Sequence, residues 1–112
     1  MEELSNIESL LVKSNEAREK ICAEQFNIGR ILAELEKAVS QGYETILIKS
    51  KVPVAVDDTQ AAKSLEQKLS AMGICHAWEM TYIDPKHKSN PTGLEQRQSN
   101  LVVSIRSYRN HR

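Results

Sequence analysis

The chain has 112 residues, with 15 Lys+Arg against 15 Asp+Glu, 40% hydrophobic residues and only 4% aromatics, the size of one domain. No apolar run reaches the roughly 18 residues of a membrane helix, and MEELSNIESL is acidic where a signal peptide is basic and then apolar, so neither membrane spanning nor secretion is expected. Cys22 and Cys75 form no CxxC pair, which points to a reducing, cytoplasmic setting without a disulfide or zinc scaffold.

A chain this short buries only about two-thirds of its unfolded surface, and with few aromatics its core rests on Ile, Leu and Val. Support from self-association is therefore expected. The zero net charge hides a gradient: residues 1–44 carry nine acids and five bases (9 − 5, net −4), residues 45–84 five and four (net −1), and residues 85–112 one and six (net +5). A protein that coats duplex nucleic acid is usually basic throughout. A basic excess confined to one end fits a local anion site, or a solvated basic tail.

Residues 1–41 hold no proline and a single glycine, Gly29, and are rich in good helix formers. Leu4, Ile7, Leu10, Leu11, Ile21, Ile28, Ile31, Leu32, Leu35 and Val39 recur at helical spacing. The spacing predicts one long helix, or two joined near Ser14-Asn15, ended by Gly42. Such a helix would reach about 60 Å, more than the rest of the chain covers, so part of it is expected to pack on another copy. Tyr43–Lys49 and Val52–Val56 read as two strands or one bent strand, with Pro53 at an edge or bulge. Asp57-Asp58-Thr59 supplies N-cap chemistry for a helix from Thr59 to Met72, which Gly73 ends. Ile74–Ile83 and Asn100–Tyr108 read as strands, and Asp84–Gln98 between them as a loop long enough to be functional or disordered. The expected fold is a single α+β domain: a helical oligomerisation segment, residues 1–41, then β(β)αββ over residues 43–112, a small, mostly antiparallel sheet packed against helices.

Catalytic motifs are missing. The sequence has no G-x-S-x-G, H-E-x-x-H, phosphate-binding P-loop or G-x-G-x-x-G pattern. Asp57-Asp58 is explained by capping. His76, His87 and His111 lack metal-ligand spacing, and Cys75 and His76, adjacent on a strand, point to opposite faces. A non-enzymatic protein without cofactor or metal is expected.

A binding site is easier to build. His76, Trp78, Met80 and Tyr82 share one strand face; Trp78 and Met80 suit the core, whereas Tyr82 at the loop mouth could stack on a flat base. Arg106 and Arg109 offer planar forks of donors for phosphate or carboxylate, with Arg112 near them. Lys86, Lys88, Asn90, Thr92 and Arg97 could close over a bound anion. Gly29-Arg30 marks a second candidate anion site: a glycine inside a helix costs about 1 kcal/mol relative to alanine and suggests a close approach, and arginines facing one another across a symmetry axis would need an anion between them.

Two family resemblances follow from these residues. Ile31-Leu32-Ala33, Ser40–Lys49 and Asn100–Arg106 resemble the helix–strand–helix–hairpin order of Alba-like nucleic-acid-binding domains, though more helix replaces the first strand and Ser50-Lys51-Val52-Pro53-Val54 stands where those domains have a Gly/Lys-rich loop. The layout of a long N-terminal helix containing Gly29-Arg30, Tyr82 before a loop holding Asn90 and Thr92, and a C-terminal Arg109 resembles the phage Thoeris anti-defence proteins, nucleotide sponges that sequester cyclic ADP-ribose-type immune signals. That resemblance implies a homodimer, or a hexamer built from it, that encloses glycocyclic ADP-ribose near the loops and takes cyclic oligonucleotides near Gly29-Arg30. The expected function is sequestration of a cyclic nucleotide signal in the host cytoplasm. The alternatives are an Alba-like RNA- or DNA-binding module using Lys49 and Lys51, and a protein inhibitor acting through the N-terminal helix.

Overall fold

The structure is a computed structural model and describes residues 2–106, with side chains from Asn6 onward. In chain order it contains α1 (Glu2–Gln25), α2 (Ile28–Ser40), β1 (Thr45–Ile48), α3 (Gln60–Ala71), β2 (Cys75–Ile83) and β3 (Gln96–Ser104). The strands form one antiparallel sheet in the order β1-β3-β2, so the last strand is central and all three helices lie on one face of it. This is the expected α+β fold.

The helical segment breaks at Phe26-Asn27 and not near Ser14, through which α1 runs unbroken. Asn27 is the N-cap of α2: its backbone is extended (φ −67°, ψ 132°) and its side chain accepts from the Arg30 amide. Gly29 makes room for that cap, since a Cβ there would meet Asn27 Oδ1 at 3.1 Å. The close approach expected at Gly29 is therefore a local one, to its own cap. Gly42 (φ 97°) and Gly73 (φ 77°) end α2 and α3 in left-handed geometry, with Tyr43 N–H bonded to Ala38 O and Ile74 N–H to Leu69 O.

Register sorts the faces. Ile46 and Ile48 on β1, Val103 and Leu101 on β3, and His76 and Trp78 on β2 lie side by side and face the helices. Ile48, Leu101 and Val103 join Cys22, Phe26, Ile31, Leu35, Val56, Ala62, Leu65 and Leu69 in one buried core. Phe26, at the α1–α2 break, meets Trp78 edge to face at 5.1 Å between ring centroids. Burial pushes the Cys22 thiol pKa up, opposed by its hydrogen bond with Thr59.

Two strand expectations are corrected. Val52–Val56 is not a strand: Val54 N–H turns back onto Val52 O around Pro53, and one backbone bond, from Ser99 N–H to Val54 O, ties the segment to β3. β3 starts at Gln96, four residues earlier than expected, because Gln96–Ser99 continue the pairing with Met80–Ile83; it ends at Ser104, Ile105 and Arg106 being bends, and the expected continuation over residues 107–108 lies outside the described residues. Gln98, Ser99 and Asn100 are buried but satisfied. Gln98 donates to Ser50 O and to Asn100 Oδ1, Asn100 donates to Thr81 Oγ1, and Ser99 Oγ accepts from Val56 N–H.

α1 is held to the body only through its C-terminal half. Arg18 donates through Nε to Ala55 O and pairs with Asp58. Glu19 accepts from the Gln60 and Ala61 amides, both at 2.8 Å, and so caps α3 together with Thr59, whose hydroxyl accepts from the Ala62 amide. Residues 6–17 are exposed on every side. The molecule accordingly measures 58 × 32 × 26 Å with a radius of gyration of 16.6 Å, against about 13 Å for a compact chain of this length. No helix among the described residues is long and apolar enough to cross a membrane.

Candidate functional site

A groove of about 540 Å³ lies between α1 (Ser14, Ala17, Arg18, Ile21), the segment at Val54-Ala55, and Glu95-Gln96-Arg97 at the start of β3. That volume is within the usual range of small-molecule sites, roughly 300–1,000 Å³. The groove exists because α1 leaves the body at Arg18 while the β2–β3 hairpin extends past it. Its walls are mostly apolar, and its charges are Arg18, Arg97 and Glu95.

Tyr82 and Arg97 are direct cross-strand partners, so both side chains project on the same, helix-facing side of the sheet; Arg97 lines the groove, and Tyr82 stands one strand beyond it on β2. Tyr82 is 61% exposed. The Arg97 guanidinium has no hydrogen bond or ion pair among the described residues, whereas the Arg18 guanidinium is committed to Ala55 O and Asp58. An exposed ring beside an uncommitted guanidinium can take a flat heterocycle and a phosphate together.

The other expected site residues fall elsewhere. Arg106 lies two residues beyond Ser104, which pairs with Cys75 at the opposite end of β2 from Tyr82. Seven residues of strand separate those ends, about 23 Å, so Tyr82 and Arg106 cannot share a pocket within one chain. Arg106 is ion-paired with Glu44 at 2.6 Å. Arg109, Arg112 and His111 lie outside the described residues. Arg30 is turned inward: it donates to Glu34 at 2.7 Å, to Gln25 O at 2.6 Å and to Lys49 O at 3.4 Å, which clamps the α1–α2 joint to the end of β1. Its guanidinium is occupied by these three acceptors, and Gly29 serves the cap beside it.

Asn90 and Thr92 come together, but within the loop and not around a cavity. Asn90 is buried; its amide donates to Leu94 O at 2.8 Å and to Asp84 O at 3.3 Å, while its Oδ1 accepts from Thr92 N–H and Oγ1. Thr92 Oγ1 also accepts from Leu94 N–H and from Gln96 Nε2. The segment expected to close as a flexible lid is a knotted turn held by its own side chains. Trp78 is half-buried and packs against the core, its Nε1 donating to Glu66 at 2.8 Å, whereas Met80 is half-buried outside the core cluster.

One contact escapes pairing by sequence neighbourhood. Ser70 Oγ lies 3.1 Å from His76 Nε2, joining the last turn of α3 to the start of β2. Ser70 is exposed, and among the described residues no third group orients His76, so the pair lacks the arrangement that activates a serine. No group of three or more His, Cys, Asp or Glu among the described residues could hold a metal ion. Comparison with family models, with curated proteins and with solved structures finds no match for the chain.

Proposed function

We propose that this protein binds and sequesters a small phosphate-bearing nucleotide, of the cyclic ADP-ribose type that the sponge resemblance implies, without converting it. The observation that carries the reading is the cross-strand pairing of exposed Tyr82 with Arg97, which lines the α1 groove. Tyr82 stacks on the base and Arg97 takes the phosphates, the part earlier given to Arg106 and Arg109. The apolar wall of Ala17, Ile21 and Val54 receives the sugar and excludes water from the charge contacts. Glu95 on the same lip disfavours a bare anion and favours a ligand that brings a donor, such as a ribose hydroxyl, alongside its phosphates. A sponge acts stoichiometrically, so its affinity must hold the ligand below the working concentration of the competing receptor.

The test is native mass spectrometry of the purified protein with cyclic ADP-ribose isomers, cyclic di- and trinucleotides and a short RNA, repeated on Arg97→Ala. The expected result is retention of an unmodified small nucleotide, weakened at least tenfold in the variant. Retention of none of the small nucleotides, or equal retention by the variant, overturns the reading; retention of RNA alone transfers it to the Alba-like alternative.

A further inference from the structure

Strand β2 is an edge whose backbone is only half used. Ile105 N–H donates to Glu44 O and Ser99 N–H to Val54 O, so the odd-numbered residues of β3 turn their backbone groups toward β1 and the even-numbered ones toward β2. The β2 partners of those even-numbered residues are Cys75, Ala77, Glu79, Thr81 and Ile83. His76, Trp78, Met80 and Tyr82 therefore direct their N–H and C=O groups outward at intervals of about 7 Å, to a side on which β2 has no neighbouring strand. Natural edges are blunted by proline, lysine, a bulge or short length. CHAWEMTYI runs for nine residues in unbroken register with none of these. Beside the edge runs α3, with Ser70 against His76 and Glu66 against Trp78, and Lys63, Gln67 and Ser70 form with His76 a groove of about 640 Å³.

We propose that this edge takes an extended segment of another protein as a fourth strand, antiparallel to β2 and carrying a basic residue opposite Glu79. Outward groups at a fixed two-residue interval match the spacing of another backbone, which is the physical basis of strand addition, and antiparallel pairing is the more stable of the two senses. Charge decides which backbone. Glu79 is exposed on the open face of the sheet between Ala77 and Thr81, opposite Asn100, with no ion pair among the described residues. A second copy paired along the full edge about a two-fold axis would set His76 against Tyr82, Trp78 against Met80, and Glu79 directly against Glu79. Like charges directly opposite destabilise a pair, whereas Lys or Arg there stabilises it. On the helix-facing side, the added strand's alternate residues would stand beside Met80 and Trp78 and over the α3 groove, which suits β-branched apolar side chains. The outward backbone groups and the open sheet face take no part in the nucleotide reading, so this interaction stands or falls separately from it.

The probe is the acetylated and amidated peptide TVTVKVTVT, followed by amide exchange on the whole chain. Without peptide, the amides of His76, Trp78, Met80 and Tyr82 are expected to exchange fast and those of Ala77, Glu79 and Thr81 slowly. Peptide should slow the first set at least tenfold. N-methylation of the peptide's fourth and sixth residues, which face Met80 and Trp78, should abolish this, while N-methylation of its fifth, whose N–H faces away, should leave it. Exchanging the peptide's lysine for glutamate should weaken binding about fivefold, and Glu79→Lys, a change at an exposed position, should reverse that preference. No protection at about 1 mM peptide, equal effects of N-methylation at the fifth and at the fourth and sixth residues, or indifference to the charge exchange overturns the proposal. Protection of the same four amides without peptide, growing with protein concentration, also overturns it and makes a second copy the occupant.

Discussion

Asn90→Ala tests whether the hairpin loop is locked or mobile. The substitution removes three well-formed bonds, to Leu94 O at 2.8 Å and from Thr92 N–H and Oγ1 at 3.0 and 2.8 Å. At about 1 kcal/mol net each this is about 3 kcal/mol. Thr92 and Leu94 are exposed and can turn to water, which lowers the expected loss to about 2 kcal/mol. For a domain near 100 residues that is a fall in Tm of roughly 8 °C. Amide exchange locates the effect: the Thr92 and Leu94 amides, bonded to Asn90 Oδ1 and Thr92 Oγ1, should lose protection while the β3 amides of Leu101 and Val103 follow only the global change. Asn90→Asp keeps the two acceptor contacts and sets a carboxylate against Leu94 O, so it should destabilise less than alanine at Thr92 and as much at the Leu94 carbonyl. A melt within 2 °C of wild type, with unchanged exchange at Thr92 and Leu94, would refute the reasoning and restore the loop as a free lid.

Glu19→Ala removes the acceptor of two α3 amides and is expected to cost about 1–2 kcal/mol by urea unfolding, with faster exchange at Gln60 and Ala61. Phe26→Ala empties the space against Trp78 and should cost about 3–5 kcal/mol, accompanied by a change in the emission of the single tryptophan. Arg30→Ala should destabilise the fold without changing nucleotide retention, since its guanidinium binds Glu34, Gln25 and Lys49; lost retention in a folded variant would return Arg30 to a ligand site. Cys22 has its folded pKa raised from 9.0, so the folded state holds that proton more tightly than the unfolded one. Its contribution is complete below pH 9 and is lost as pH rises through the folded value. Urea unfolding from pH 8 to 10.5 should therefore show a steeper fall for wild type than for Cys22→Ala.

The elements that could be read from the sequence are those whose local chemistry and burial agree. α3 was expected over Thr59–Met72 and occupies Gln60–Ala71 with those two residues as its caps, because Thr59, the Ala62-Leu65-Leu69 stripe and Gly73 all indicate the same helix. The start of β3 was missed because Gln96-Arg97-Gln98-Ser99 has no apolar alternation. Those residues are strand by virtue of cross-strand pairing with Met80–Ile83 and hydrogen bonds to Ser50 and Val56, partners more than 40 positions away. The α1–α2 break was written in Asn27-x-Gly29, a cap and the space for it, yet Ser14-Asn15 offered an equally polar interruption. Burial decided between them: Phe26 is in the core, while Ser14 lies on the arm. At the site, Tyr82 was legible from its place at a strand end. Its pairing with Arg97 needed the register, and so did the separation of Tyr82 from Arg106.

The root of α1 has a mechanical consequence. The arm before Arg18 is a rigid lever about 24 Å long, and its fulcrum, Arg18-Glu19, grips Asp58 and the first two amides of α3. A sideways load on the tip is therefore delivered to the start of α3, whose far end adjoins the Ser70–His76 contact. Whatever engages the tip should be detectable as altered exchange at Gln60 and Ala61, far from the point of contact and without any rearrangement of the sheet.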